Sequence, residues 1–287
     1  MSSNNKISEV FRLMYKDGKL LFILLATVLV TFSIFTTYTL KTGEHPLEKY
    51  LLLAVPFAFA WVVFAWAVTD KSVFRKPLIY ASIFIALFIQ KIYWGVFLQF
   101  YPPNDVLRLS EEWVSILDNA YHFSIIVTFF AMLVVFLIIW FLAKPKEFKK
   151  YNSKGLFLVG LSAFLMTLPL WIIRFISFIN GQSLSEFVLK NLEFIDSYGF
   201  LFEAIPIAFV LIFFALVITN IKSSAKYVLY LLIFVFSIVI YLPIYKDLYW
   251  SESATVFTQF VYFLFIGVCY FIVFLSLVLI CRSRYIE

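Results

Sequence analysis

The chain has 287 residues, of which 63% are hydrophobic, 21% aromatic and only 14% charged, with a formal net charge of +6 and a mean hydropathy of +0.97. A soluble domain carries about 25% charged residues, so this composition excludes an ordinary water-soluble enzyme or binding module. The apolar runs do not alternate with polar residues, which excludes the strands of a membrane barrel and leaves an all-α polytopic membrane protein.

In chain order, residues 1–19 are polar and read as a cytoplasmic segment. Ile7, Val10, Phe11 and Met14 recur at helical spacing, which predicts an amphipathic helix lying on the inner leaflet. The first apolar run behind it is a full span without a small-residue cleavage pattern, unlike a secretory signal. Crossing the hydrocarbon takes about 20 residues per helix, and four stretches near 20–40, 50–69, 77–100 and 121–143 qualify. A basic linker, 144–154, follows. Four more spans are predicted near 155–180, 199–220, 226–249 and 256–281, ending in a tail at 282–287. Two outer segments, "LSEEWVSILDN" and "SLSEFVLKNLEFID", carry apolar residues on one helical face and predict short helices lying flat at the interface. Cys269 and Cys281 are twelve residues apart on the last span, about 18 Å of rise, too far for a disulfide, and read as packing thiols.

With the N-terminus inside, the inner connectors and helix ends hold 16 Lys/Arg and the outer ones five, whereas acids run five inside and eleven outside. That bias predicts both termini in the cytoplasm and a place in the cell membrane. The positive charge is thus a membrane-topology signature, and no nucleic-acid partner is read from it.

The chain also repeats itself. Residues 54–84 and 204–234 align without a gap at an offset of 150, with 11 of 31 positions identical, among them Pro56/Pro206, Phe59/Phe209 and Phe84/Phe234. The expectation is two parallel four-helix repeats, 20–143 and 155–281, related by an axis along the membrane normal.

Intramembrane charges are the candidate site, because each costs about 2.5–3.5 kcal/mol to insert. They are Lys91, in "LFIQKIYWGVF", Arg174 and Glu203, all in the outer halves of their spans, with Gln90 and His122 at neighbouring levels. Lys91 lies about 15 Å of rise below Tyr101. Three readings stay open for it: a long snorkeller, an ion pair with Glu203, or a polar outward-facing cavity shared with Arg174 and Glu203. Pro56, Pro169, Pro206 and Pro243 each free a carbonyl one turn back that a neighbour must satisfy.

Two histidines, His45 and His122, do not supply a facing pair for b-type haem, and no Cys/His cluster has metal spacing. No nucleophile, zincin or phosphate-loop motif appears, so no catalytic constellation or intrinsic cofactor is read. Gly95, Gly160 and Gly267 are the span glycines, few for a transporter that slides its helices. In span count and doubling the chain resembles the haem-free, eight-helix, quinol-binding anchor subunits of bacterial and archaeal oxidoreductases; no motif residue carries that resemblance. It implies an accessory subunit of a larger, respiratory membrane complex, with other membrane subunits and lipids as partners and a quinone or lipid held in the outer half. The alternatives are a carrier or channel for a small anion using Lys91 and Arg174, and a lipid-modifying membrane enzyme.

Overall fold

In hydrocarbon a backbone N–H has no water to bond, so apolar runs must satisfy their own backbone, and the helix does so within one segment. The computed structural model describes residues 3–39, 46–68, 77–100, 111–143, 153–181, 204–213, 215, 225–246 and 256–282. Of these, 98% are helical and none is in a strand. The helices are α1 Ser3–Lys16, α2 Lys19–Thr39, α3 Pro46–Val68, α4 Pro77–Phe100, α5 Glu111–Ala143, α6 Ser153–Ile179, α7 Ala204–Phe213, α8 Ala225–Lys246 and α9 Val256–Arg282. Both α3 and α4 open on proline, whose missing N–H costs nothing at a first helical position.

Among the described residues, five helices are long and apolar enough to cross a membrane: α2, α3, α4, α5 and α9, through Lys19–Thr36, Leu47–Val68, Pro77–Phe100, Asp118–Phe141 and Phe260–Cys281. They fall where the first four spans and the last were expected. The other three expected places hold shorter apolar helical stretches, Leu156–Pro169, Ala204–Phe213 and Lys226–Leu242.

Packing follows chain order, with α2 on α3, α3 on α4, α4 on α5 and α5 on α6, while α9 packs on α8 and returns to α2 and α3. The core is built from fully buried side chains such as Phe64, Ile83, Leu87, Phe136, Ile266 and Leu277. Phe64 of α3 and Phe274 of α9 bring their rings to 5.0 Å. Cys269 and Cys281 are both buried and are not joined in a disulfide.

Two glycines mark close helix approaches. A Cβ on Gly95 would lie 2.5 Å from Tyr50 Cβ, so α4 meets α3 there with no room for a methyl group. A Cβ on Gly267 would sit 3.3 Å from Thr31 Oγ1, where α9 crosses α2. Gly160 has nothing within 4 Å of that position.

Beside Pro56, buried Ser33 of α2 donates its hydroxyl to the Leu53 carbonyl at 2.8 Å, the neighbour of the Leu52 carbonyl that the proline leaves without its helical donor.

Two sequence expectations are corrected. The N-terminal helix α1 does not spend its apolar face on the leaflet alone, because Val10 (1% exposed) and Met14 (0%) are buried in the protein core. It packs on α2, α8 and α9. Glycine ends it: Gly18, at φ +66°, reverses the chain after hydrogen bonds from Asp17 N to the Leu13 carbonyl and Gly18 N to the Tyr15 carbonyl. Likewise "LSEEWVSILDN" is no separate helix lying flat. From Glu111 it belongs to α5, a continuous helix of 33 residues. No glycine or proline stands between Glu111 and Ala143, so nothing in the sequence ends the helix at the interface. The second outer segment, 183–196, lies outside the described residues.

Because the methyl clash at Gly95 involves a Cβ atom rather than a flexible tip, Gly95→Ala should destabilise by about 1–3 kcal/mol through helix displacement. Gly160→Ala should instead be neutral or gain about 0.5–1 kcal/mol from helix propensity. Thermal unfolding of the two variants in one detergent checks this, and equal midpoints would contradict the close α3–α4 approach.

Candidate functional site

α5 is the element on which Gln90, Tyr93 and Arg174 converge. Its sequence carries Asp118, His122 and Thr128. Three polar side chains from neighbouring helices reach it at successive levels. Arg174 of α6 places Nη1 3.4 Å from Asp118 Oδ2, with the two side chains 29% and 17% exposed. Tyr93 of α4 donates its hydroxyl to the Ala120 carbonyl at 2.9 Å. Gln90 of α4 reaches Thr128 with a long amide contact, Nε2 to Oγ1 3.5 Å, while its Oε1 is buried and has no partner among the described residues.

His122 Nδ1 lies 2.8 Å from the Asp118 carbonyl oxygen. A carbonyl only accepts, so Nδ1 is the donor in this contact. Asp118 is thereby engaged twice, by its carboxylate with Arg174 and by its backbone with His122. Aromatic rings surround this end, with Trp94 and Tyr121 at 4.9 Å and Tyr93 and Phe123 at 5.6 Å between ring centroids.

Lys91 is placed elsewhere. It follows Gln90 by one residue, about 100° around the helix, and faces α3 rather than α5. Its Nζ sits 4.6 Å from the centroid of the Phe57 ring, a cation–π contact in a partly buried position. Glu203 lies outside the described residues. Of the candidate residues, Arg174, His122 and Gln90 are therefore gathered on α5, and Lys91 is held on the side of α4 that faces α3.

Sequence reasoning missed Asp118, Thr128 and Phe57 as partners. Asp118 stood in a segment read as an outer connector, yet its position one turn before His122 was a usable signal, since residues four apart share a helical face.

A second feature is apolar. Between α2 and α9 runs an open groove of about 650 Å³, walled by Thr27, Thr31 and Phe35 on one side and Phe263, Gly267 and Phe271 on the other. This volume falls within the range of roughly 300–1,000 Å³ typical of small-molecule and cofactor sites. It runs from Leu24 to Phe35, about 16 Å along the helix. The Phe35 and Phe263 rings meet edge to face at 4.6 Å and bridge the two walls. The wall hydroxyls are spent on their own helix, Thr27 on the Ile23 carbonyl and Thr31 on the Thr27 carbonyl, both at 2.8 Å. The groove thus offers hydrocarbon and phenyl surface, with Gly267 keeping it deep.

Among the described residues no group of three His, Cys, Asp or Glu side chains could hold a metal ion.

For a partly buried pair, removing one charge should cost about 1–3 kcal/mol, between the surface and fully buried limits. Arg174→Gln and Asp118→Asn should each lower the unfolding midpoint, and the double variant should recover part of the summed loss. Strictly additive losses would show that the 3.4 Å contact carries no coupling. Comparison with protein-family models, with curated proteins and with solved structures finds no match to this chain.

Proposed function

We propose that the protein is a haem-free, non-catalytic membrane subunit of a larger, respiratory assembly, and that it holds the apolar tail of a quinone or lipid. The observation that carries this reading is the α2–α9 groove, open, about 650 Å³ in volume and lined almost wholly by apolar side chains. A ligand whose recognised part is a hydrocarbon or isoprenoid tail suits such walls. The anion carrier is the second reading, because Arg174 already faces the Asp118 carboxylate and Lys91 stands on another side of α4.

The architecture that goes with this proposal is eight spans in two parallel four-helix repeats, in the cell membrane with both termini cytoplasmic. Two correspondences at the offset of 150 support the repeat. Phe59 and Phe84 bring their rings to 4.8 Å, and their counterparts Phe209 and Phe234 do so at 5.6 Å. Ala54, Ala58, Ala65 and Ile83 are fully buried, and so are Ala204, Ala208, Ala215 and Ile233, while Phe59 and Phe209 are both exposed. Oiliness alone does not make the same residue pairs touch.

Cysteines introduced at Ser183 and Ser251 should react with impermeant reagents on intact cells and one at Ser153 should not; the reverse pattern would invert the topology. For the groove, Val28→Trp fills it from the exposed rim. The variant should purify folded but carry several-fold less extractable quinone or lipid than the parent. Equal loading would remove the groove as the binding place, and efficient anion uptake by the isolated chain in liposomes would favour the carrier.

A further inference from the structure

The corner formed by α1 offers a surface whose residue order around the helix is informative. At 100° per residue, buried Val10 and Met14 are followed by Phe11 and Tyr15, then by Arg12 and Lys16, and then by Glu9. Phe11 is 43% exposed and Tyr15 73%, and Arg12, Lys16 and Glu9 are exposed as well. Around the helix the faces therefore run apolar, aromatic and cationic, then pass Glu9 and the 42%-exposed Leu13 before the buried face returns. Aromatics set beside cations suit the ester and phosphate levels of a lipid head group.

The corner is also built to hold this orientation. Two residues, Asp17 and Gly18, join α1 to α2, and Leu21 N bonds back to the Gly18 carbonyl at 3.1 Å. Lys19, only 7% exposed, donates Nζ to the Trp66 carbonyl at 2.9 Å and lies 5.0 Å from the Trp66 ring centroid. Its charge is committed inside the protein, so among the described side chains the cations that α1 turns outward are Arg12 and Lys16. α8, which α1 touches, begins with Lys226 set over the exposed Tyr227 ring at 5.1 Å, another cation and aromatic pair near this end.

We propose that α1 is a recognition element for anionic phospholipid head groups, with Arg12 and Lys16 on the lipid phosphates and Phe11 and Tyr15 seated beside them. Charge complementarity selects the partner, because a cationic stripe bordering apolar aromatics matches a phosphate layer over acyl chains.

The test uses the full chain in detergent, titrated with phosphatidylglycerol or phosphatidylcholine and read by native mass spectrometry. The parent should prefer phosphatidylglycerol, and the preference should fade with added salt. Arg12→Gln or Lys16→Gln should weaken that binding about five-fold each, and the double variant about 25-fold, as about 1 kcal/mol per cation implies. Phosphatidylcholine binding should stay unchanged, which also shows that the double variant is folded. Equal affinity for the two lipids in the parent, unaltered phosphatidylglycerol binding in the double variant, or displacement by inorganic phosphate alone would each overturn the proposal.

Discussion

The absence of water is the constraint on which the structure depends. A polar group within the hydrocarbon must find its partner in the protein, and the helices answer it in three ways. Hydroxyls turn back on their own helix, as Thr27, Thr31, Ser82 and Ser162 do on carbonyls four residues earlier. A hydroxyl can instead reach a neighbouring helix, as Ser33 of α2 does to the Leu53 carbonyl of α3. Charges take the strongest acceptors within reach, a carboxylate for Arg174 and a carbonyl with an indole face for Lys19. Among the described residues Gln90 Oε1 and Ser237 Oγ are the buried side-chain atoms left without a partner.

These solutions explain why polarity is unevenly spread over the helices. α5 collects Arg174, Tyr93 and Gln90 because it packs between α4 and α6 and presents Asp118, the Ala120 carbonyl and Thr128 to them. The α2–α9 wall has the opposite character, since each of its two threonines hides its hydroxyl and shows carbon. A polar seam and a dry groove thus occupy different helix pairs, with α3 in contact with α2, α4 and α9.

Much of the fold was legible because the bilayer reads only length and apolarity, and α2, α3, α4, α5 and α9 fall where those two properties put them. The burial of Cys269 and Cys281 was legible for the same reason. Less was legible wherever one face had two possible covers. The Val10 and Met14 stripe specifies an apolar neighbour without saying whether it is lipid or protein, and the Gly18 turn decides for protein. In the candidate site, depth in the membrane was readable and direction was not. Gln90 and Lys91 are consecutive and share a level, yet their side chains serve α5 and α3 respectively. Asp118 escaped notice because a hydropathy boundary was taken for a helix boundary, and α5 ignores it.

That continuity has a mechanical result. A helix of 33 residues is about 50 Å long, against a hydrocarbon thickness of about 30 Å, and a tilt within the usual 0–40° cannot absorb the difference. One end of α5 must stand clear of the hydrocarbon, and the polar end at Glu111 is the one suited to do so. A thicker bilayer would pull α5 inward and carry Asp118, tied to Arg174 on the adjoining helix, deeper into the hydrocarbon. The ion pair therefore acts as a depth stop for two helices at once, so this corner of the molecule resists changes in membrane thickness that its oilier flank, α2 and α9, would follow.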